Sequence, residues 1–476
     1  MCQRQRPFIA VLLVLATGAT TFYFEQKHDS PMSQRIEPRT LQGFRDYLPE
    51  TMMPRERIME TARRVYRSYG FCPIDTPALE LLEILTGKGS EETDRQIYRF
   101  EDAGGRQVGL RFDLTVPLAR FAAAHIHELG MPFKRYHIAP VWRGERPQAG
   151  RFREFVQCDF DTIGTESIVA DIETGLVIHE LLQAIDVGEF SVRINNRQIL
   201  NGLLDKLSLA DRSVPILRAL DKLAKVGGDE VLKEMATTAA VESEQGKKIL
   251  EFAAIDGSPE NVLSQLDALL AGNELGEQGI ARLRDLVAGL RAAGVSDERF
   301  QLDVSIARGL DYYTGTIFET VLRELPSIGS ICSGGRYDNL AELYTKQHLP
   351  GIGASLGLDR LLAALETLKR IEPIRAAAPV LVTYFDRDAL HDYLQIAACL
   401  RKAGIGAELY PEPKKLGAQL KYADQRGFRA AIIAGSDELS RGSCQVKNLR
   451  TQASTEVAWR ESAEDLIATV GKCLEV

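Results

Sequence analysis

The chain has 476 residues, with 58 Lys and Arg against 66 Asp and Glu and a net charge of −8. Its 45% hydrophobic and 26% charged residues exclude a collagen-like, mucin-like or wholly disordered chain. At about 100–200 residues per domain, the length predicts two to four domains, each able to bury a core. The acidic balance excludes a nucleic-acid binder that is basic all over, but it permits a local basic face.

The cysteines and histidines give no sign of a disulfide framework or a structural metal site. The seven cysteines are scattered without a Cys-x-x-Cys pair, and the seven histidines do not cluster with them. This pattern is typical of reduced thiols in a cytosolic protein. We therefore expect a cytoplasmic location and no metal ion held by these residue types.

Residues 7–24 form an apolar run that follows Arg4 and Arg6, and we treat 1–31 as an N-terminal extension. Three interpretations are open: a signal peptide or membrane anchor, an organellar targeting segment, or an upstream extension with Met32 as the true start. The run is marginal for spanning a bilayer and lacks the Arg- and Ser-rich pattern of an organellar signal. We favour the upstream extension, because everything after Met32 is typical of a cytosolic protein, and we do not expect membrane association.

Hydrophobic patterns predict alternating helices and strands from residue 54 onward. Residues 54–70 predict an amphipathic helix with Pro54 in its first turn, and the prolines within 71–80 predict an extended segment. Further along, we expect strands at 96–102, 104–113, 133–145 and 151–164, and helices at 113–130 and 171–185.

The segment after residue 198 changes character, because Leu, Ala, Lys and Glu recur at helical spacing with almost no strand pattern. Strand patterns return at 300–322, and glycine-rich segments follow before another helix. Beyond a proline- and alanine-rich linker, strand and helix patterns alternate. We therefore predict an α+β fold. Its parts are an antiparallel-sheet domain at 32–197 and 301–372, a helical insertion at 198–300, and a small α/β domain at 378–476.

Arginines are concentrated among apolar strand residues. They are Arg143, Arg146, Arg151, Arg153, Arg308 and Arg360. Several such arginines indicate an anionic ligand, because guanidinium stays charged and binds phosphate with a rigid pair of donors. From the residues alone, a polyphosphate site and a solvated charged face both remain open. Residues 351–357 do not match Gly-x-Gly-x-x-Gly, and no P-loop motif occurs.

Six segments resemble the motifs of histidyl-tRNA synthetases, a family of class II aminoacyl-tRNA synthetases. YGFCPIDTPALE resembles motif 1, WRGERPQAGRFREFVQCDFDTIG motif 2 and GIGASLGLDRLL motif 3. RGLDYYTGTIFE and SGGRYDNL resemble the two histidine signatures, and LRFDLTVPLARF completes the set. The resemblance runs from about Leu41 to the C terminus. It implies a class II catalytic domain with an anticodon-binding domain, and a ligase that activates L-histidine with ATP and transfers it to tRNA(His).

The resemblance also implies roles for individual residues. The implied ATP ligands are Arg143 at the α-phosphate, Arg151 and Arg360 at the outer phosphates, Glu145 near the adenine and Phe155 stacked on it. The implied histidine ligands are Asp113, Thr115 and Gln157 at the α-amino group, Asp161 and Tyr313 at the imidazole, and Tyr312 and Tyr337 as walls. Arg308 is implied to stabilise charge during reaction, which makes Arg308 and Arg143 the catalytic pair. Mg²⁺ should accompany ATP, and motif 1 implies a homodimer.

Two alternatives to an active synthetase remain open at the level of sequence: a non-catalytic paralogue, such as a regulatory subunit of histidine biosynthesis, and a membrane-anchored form. Regulatory paralogues lack the C-terminal domain and parts of RGLDYYTG, whereas this chain keeps both. From Tyr410 to Arg450, eight basic residues stand against four acidic ones, which favours tRNA contact. We expect His137 to pack structurally.

Overall fold

A computed structural model describes residues 36–86, 91–148, 150–306, 312–371 and 375–475. The extension predicted at 1–31 and the predicted catalytic residue Arg308 lie outside these ranges. The chain divides into two units, and the described residues of the first unit, which ends at Leu41, contain no helix or strand. No helix within the described ranges combines the length and apolar character needed to cross a bilayer.

The first part of the chain alternates helices with strands. Its elements are α1 (Pro49–Ser68), β1 (Cys72–Pro73), β2 (Leu79–Leu81), α2 (Leu82–Thr86), α3 (Glu91–Gln96), β3 (Arg99–Glu101), β4 (Gln107–Leu110), α4 (Thr115–Ala124), β5 (Phe133–Trp142), β6 (Glu154–Ile163), α5 (Ile168–Ile185) and β7 (Phe190–Asn196). Helix α1 begins earlier than the pattern predicted, because Pro49 takes the first-turn position, and Pro54 lies inside the helix.

Seven helices then occupy the segment where the sequence predicted an insertion. They are α6 (Arg197–Lys206), α7 (Ser213–Leu220), α8 (Leu223–Val226), α9 (Gly228–Ala239), α10 (Ser243–Ala253), α11 (Pro259–Leu270) and α12 (Glu274–Ala292). Their buried side chains, such as Leu203, Leu266 and Leu286, belong to the same apolar core as the strands of the sheet domain. This helical module is therefore packed onto the sheet domain.

The chain returns to the sheet after the helical module. The elements are β8 (Phe300–Leu302), β9 (Thr316–Leu322), β10 (Cys332–Tyr337), β11 (Gly351–Gly357) and α13 (Leu358–Thr367). The strand predicted over 300–322 is interrupted, and Tyr312 and Tyr313 precede β9 instead of lying within a strand.

One sheet of eight strands has the order β1-β5-β6-β11-β10-β9-β7-β8. Its neighbours are antiparallel except for β1 with β5 and β7 with β8. The glycine-rich run that became β11 was not predicted as a strand. A strand is predicted from its apolar side chains. The pairing of β10 with β11 instead requires glycines, which have no side chain. A Cβ on Gly334 of β10 would lie 2.1 Å from the carbonyl oxygen of Gly353 in β11. A smaller sheet has the order β2-β4-β3.

The C-terminal part has its own sheet and its own core. Its elements are β12 (Val380–Val382), α14 (Leu390–Lys402), β13 (Ala407–Leu409), α15 (Leu416–Arg426), β14 (Ala430–Ile433), α16 (Ser436–Arg441), β15 (Ser443–Asn448), β16 (Ser454–Ala458) and α17 (Glu464–Glu475). The strand order is β13-β12-β14-β15-β16, with β12 parallel to both its neighbours and the last two pairs antiparallel. The buried residues of this part form a separate cluster.

Candidate active site

Two adjoining cavities are lined by residues of β6, β10 and β11 together with nearby loops. Including the space at the cavity openings, the volume of the first cavity is about 670 Å³ and that of the second about 480 Å³. Both volumes lie within the range of roughly 300–1,000 Å³ that is usual for small-molecule sites. Four residues line both cavities: Arg143, Gln157, Ser333 and Ser355. A group bound in one cavity can therefore meet a group bound in the other.

Alternation along β6 supplies much of this surface. Successive residues of a strand point to opposite faces, and Phe155, Gln157, Asp159 and Asp161 line the cavities. The intervening Val156, Cys158 and Phe160 lie in the apolar core. The same strand therefore holds the core together on one face and presents polar groups on the other.

The first cavity gathers every predicted ATP ligand. Arg143, Glu145, Arg151, Phe155 and Arg360 all line it. The Arg151 guanidinium lies 3.3 Å from the Glu145 carboxylate, and Arg360 Nη1 donates to the Ser330 carbonyl oxygen at 2.6 Å. Three guanidinium groups around one cavity favour a ligand with several negative charges.

Arg143 is held at the boundary between the cavities. Its Nε donates to the carbonyl oxygen of Phe112 at 3.1 Å, and its guanidinium lies over the rings of Phe112 and Phe155 at 4.3 and 5.0 Å. Burial lowers the pKa of Arg143, yet a guanidinium remains charged at neutral pH. Its fixed position allows it to contact ligands on both sides.

Asp359 anchors the start of α13 beneath the first cavity. Its buried carboxylate accepts hydrogen bonds from Arg45 at 3.3 Å, Arg55 at 3.2 Å, the Val156 amide at 2.9 Å and the Tyr47 hydroxyl. A buried carboxylate is stable when its oxygens are satisfied in this way. The neighbouring Arg360 is therefore presented from a rigid helix start.

The second cavity gathers every predicted histidine ligand. They are Asp113, Thr115, Gln157, Asp161, Tyr312, Tyr313 and Tyr337. Asp113 Oδ1 accepts from the backbone amides of Thr115 and Val116 at 3.1 and 2.9 Å, at the start of α4. Burial raises the pKa of Asp113, while these amides and the Arg143 charge oppose the rise.

Asp161 lies between two buried partners. Its Oδ1 accepts from the Tyr337 hydroxyl at 2.6 Å, and its Oδ2 lies 2.6 Å from Nη2 of the fully buried Arg135. Burial raises the pKa of Asp161, and the Arg135 charge lowers it. The space for this carboxylate depends on Gly353, where a Cβ would lie 2.2 Å from Asp161 Oδ1.

Three tyrosines form an aromatic wall. The rings of Tyr312 and Tyr313 meet edge to face with centroids 4.8 Å apart, and those of Tyr312 and Tyr337 lie 6.3 Å apart. Burial raises the pKa of all three phenols, so each keeps its proton at neutral pH. The wall can pack against a flat ring and donate hydrogen bonds to it.

Among the residues that sequence reasoning missed are Asp159, Ser333 and Ser355, which line the cavities, and Arg135, which pairs with Asp161. Strand alternation through QCDFD offered a signal for Asp159. Two other arginines were grouped with the site but do not line either cavity within the described residues. One of them, Arg153, donates to the carbonyl oxygens of Glu145 and Gln42. His137 is buried, with Nε2 2.9 Å from Asp75 Oδ1, which fits a structural role.

The described residues contain no cluster of three or more His, Cys, Asp or Glu side chains that could hold a metal ion. The first cavity offers only two carboxylates among those residues, and Asp359 is occupied by its donors. Glu145 is the remaining acidic group. This donor set fits a divalent cation that arrives on a nucleotide, with its ligands coming mainly from the phosphates.

The chain is similar to known proteins over most of its length. The family model described as histidyl-tRNA synthetase matches residues 43–361, and the anticodon binding domain matches residues 379–469. The histidine–tRNA ligase of Rhodopirellula baltica is 62% identical over 432 residues, covering 91% of this chain and 98% of that protein. The crystal structure of histidyl-tRNA synthetase from Nostoc sp. PCC 7120 superposes with a TM-score of 0.83 at 36% identity, over 92% of this chain and 100% of that one.

A fourth comparison shows the fold alone. An ATP phosphoribosyltransferase regulatory subunit/histidyl-tRNA synthetase from Bacillus halodurans C superposes with a TM-score of 0.69 at 22% identity, over 81% of this chain and 97% of that one. The antiparallel sheet with its C-terminal domain defines a class II aminoacyl-tRNA synthetase. Within that class, the chain belongs to the histidyl-tRNA synthetase family.

Proposed function

We propose that the histidine–tRNA ligase reaction of this chain runs across the two cavities, with ATP in the first and L-histidine in the second. The observation that carries this proposal is the position of Arg143, which lines both cavities. The α-phosphate of ATP and the carboxylate of histidine must meet for the first step. A half-buried guanidinium held at their meeting point would bind both and remain in place as charge moves between them.

ATP would lie with its phosphates among the three arginines of the first cavity. Arg143 would contact the α-phosphate, and Arg151 and Arg360 the outer phosphates. Phe155 would stack on the adenine, and Glu145 would lie near its edge. Mg²⁺ would arrive with the phosphates and offset part of their charge.

Histidine would lie with its ring at the Asp161 end of the second cavity. A carboxylate and phenols can bond both ring nitrogens, with Asp161 accepting from one N–H and Tyr313 bonding the other nitrogen. Tyr312 and Tyr337 would pack against the ring. Asp113, Thr115 and Gln157 would bind the α-amino group.

The reaction depends on positioning and charge stabilisation by the chain more than on covalent catalysis. A histidine carboxylate oxygen would attack the α-phosphorus, which forms histidyl-adenylate and releases pyrophosphate. The terminal ribose hydroxyl of tRNA(His) would then attack the acyl carbon and release AMP. Arg143 and, by its motif, Arg308 would stabilise the charge that develops at the α-phosphate.

The C-terminal domain would bind the tRNA. Seven of the eight basic residues between Tyr410 and Arg450 are exposed, and Lys447 is half-buried. They are Lys414, Lys415, Lys421, Arg426, Arg429, Arg441, Lys447 and Arg450. Exposed cations on an acidic chain favour contact with a phosphate backbone. We place this reaction in the cytoplasm.

A homodimer would complete the enzyme. Both residues of the edge strand β1 are exposed, and Leu79, Leu81 and Phe100 of the smaller sheet expose 39–48% of their surface. An exposed strand edge and exposed apolar side chains each favour pairing with a second copy. Light scattering of the purified chain should give twice the monomer mass, and a fully active monomer would contradict the dimer.

The test of the reaction is histidine-dependent exchange of pyrophosphate into ATP. Arg143→Ala should lower the exchange rate by about 10²–10³-fold, the usual effect of losing one preorganised donor to developing charge. Arg284→Ala is the control, because Arg284 is an exposed residue of α12 paired with Asp267 at 2.8 Å. Exchange that does not depend on histidine, or that survives Arg143→Ala, would contradict the proposal. A complete lack of exchange in the wild type would favour a non-catalytic paralogue.

A further inference from the structure

Asp159 lies in the second cavity without a role in the reaction described above. Its side chain is buried, and it stands on β6 between Gln157 and Asp161, on the same face as both. Among the described residues, the cation that approaches it is Arg135, whose Nη2 is 4.0 Å from Asp159 Oδ2 but 2.6 Å from Asp161 Oδ2. Arg135 therefore interacts mainly with Asp161, and its electrostatic interaction with Asp159 is weaker.

Three buried acceptors of the cavity lining lack a hydrogen-bond partner among the described residues: Asp159 Oδ1, Gln157 Oε1 and Asp161 Oδ2. Of these, Asp161 Oδ2 already lies 2.6 Å from Nη2 of Arg135, which leaves Asp159 Oδ1 and Gln157 Oε1. The amide of Gln157 is oriented by its own donor, because Nε2 donates to Ser355 Oγ at 2.8 Å. Buried polar atoms are nearly always paired in a working protein, so these two oxygens indicate a ligand that brings donors.

An ammonium group has the matching chemistry, because it carries three donors and no acceptor. We propose that Asp159 is a substrate-binding residue whose Oδ1 accepts a hydrogen bond from the α-ammonium of histidine, beside Gln157 Oε1 and the Asp113 carboxylate. The assignment rests on the proposed placement of histidine in the second cavity.

The position and charge of Asp159 favour the ammonium over the imidazole ring. Gln157 also lines the first cavity, so it marks the end of the site where the amino acid meets ATP. Asp161 and Tyr337 mark the other end, and Asp159 lies between them on the strand. Arg135 pairs with Asp161 at 2.6 Å but lies 4.0 Å from Asp159, so a ligand cation would supply Asp159 with the close positive charge that Asp161 already has.

The burial of these groups agrees with this assignment. Burial raises the pKa of Asp159, the Arg135 charge and a hydrogen bond with Ser355 oppose the rise, and the nearby Asp161 adds to it. Burial also raises the pKa of Asp113. A bound ammonium would favour their ionised forms. A histidine analogue without the α-amino group would leave Asp159 Oδ1 and Gln157 Oε1 unpaired.

The experiment compares three ligands by isothermal titration calorimetry in the absence of ATP. Histidine has the ring, the ammonium and the carboxylate. Histidinol lacks the carboxylate, and imidazolepropionate lacks the ammonium. Asp159→Asn should weaken the binding of histidine and histidinol at least tenfold and change that of imidazolepropionate by less than twofold. Asp161→Asn is the matched comparison on the same strand face, and it should weaken all three ligands, because it acts on the ring.

Three results would overturn the assignment. Asp159→Asn could weaken imidazolepropionate as much as histidine, or it could bind all three ligands like the wild type. Wild-type chain that binds neither histidine nor histidinol would overturn the placement of histidine itself, which separates the two failures. Asp159→Ala provides the second variant, and it should give the same ranking of ligands. Thermal unfolding of both variants verifies that each is folded under the conditions of the titration.

Discussion

Replacement of Asp161 by asparagine tests the histidine cavity most directly. The variant keeps the shape of the side chain and an oxygen that can accept from Tyr337, but it removes the negative charge. The imidazole loses a charged acceptor in a buried site, and Arg135 loses the counterion 2.6 Å away. Two effects should follow, one on substrate recognition and one on stability.

The size of each effect follows from burial. A buried group left unpaired costs about 1–3 kcal/mol, which corresponds to a rise of about 5- to 150-fold in the half-saturating histidine concentration. Arg135 is fully buried, and the next carboxylate, that of Asp159, is 4.0 Å away. Breaking a buried ion pair by removing one partner typically costs about 3–5 kcal/mol, which should appear in the free energy of unfolding.

Pyrophosphate exchange measured against each substrate separates the two cavities. Asp161→Asn should raise the half-saturating concentration of histidine and leave that of ATP within about twofold, because Asp161 lines only the second cavity. Glu145→Gln should give the reverse pattern, since Glu145 lines only the first. Weaker ATP binding with unchanged histidine dependence in Asp161→Asn would mean that the two cavities have been assigned the wrong way round.

Three further predictions follow from single contacts. Gly353→Ala should abolish histidine activation, because the new Cβ would lie 2.2 Å from Asp161 Oδ1. Gly357→Ala should keep most of the exchange activity, because its Cβ would lie 3.6 Å from the Ile331 carbonyl oxygen, an ordinary contact distance. Asp359→Ala should lower the free energy of unfolding in urea by about 3–5 kcal/mol, since it leaves two arginines without their buried acceptor; a loss below about 1 kcal/mol would contradict that role. Burial, helped by Arg135 and Arg111, lowers the pKa of His137, so the unfolded chain takes up a proton at higher pH than the folded chain. As the pH falls below about 6.5, the free energy of unfolding of the wild type should therefore decrease faster than that of His137→Gln, by up to about 1.4 kcal/mol per pH unit. Urea unfolding at several pH values measures both, and the same dependence on pH in the two proteins would refute this.

Much of the site could be predicted from sequence because its residues are carried by short, specific motifs. All twelve predicted ligands within the described residues line one of the two cavities. Local sequence order explains part of this success. Strand alternation places Gln157 and Asp161 on one face, and Asp113 directly precedes the helix whose amides it accepts.

The residues that were missed depend on pairing between distant segments. From the local sequence, Arg135 is one residue of an apolar strand. Its role depends on the strand register, which places it opposite Asp161 on β6. Ser333 and Ser355 become neighbours only because β10 and β11 pair. The glycines of β11 were ambiguous for a related reason, because their function is to make room, and an absent side chain leaves no pattern to detect.

The helical module lies in the chain between the two halves of the sheet, and this order has a consequence for synthesis. The Val156 amide bonds to Asp359, which is 203 residues further along the chain. At about 5–20 residues per second, a ribosome needs about 10–40 s to make that stretch. Throughout this interval β6 can pair with β5 on one side, but its other edge has no β11 to bind. Such an unpaired edge is a template for association with other nascent chains. The helical module therefore lengthens the time for which a growing chain must be protected before its active site can close.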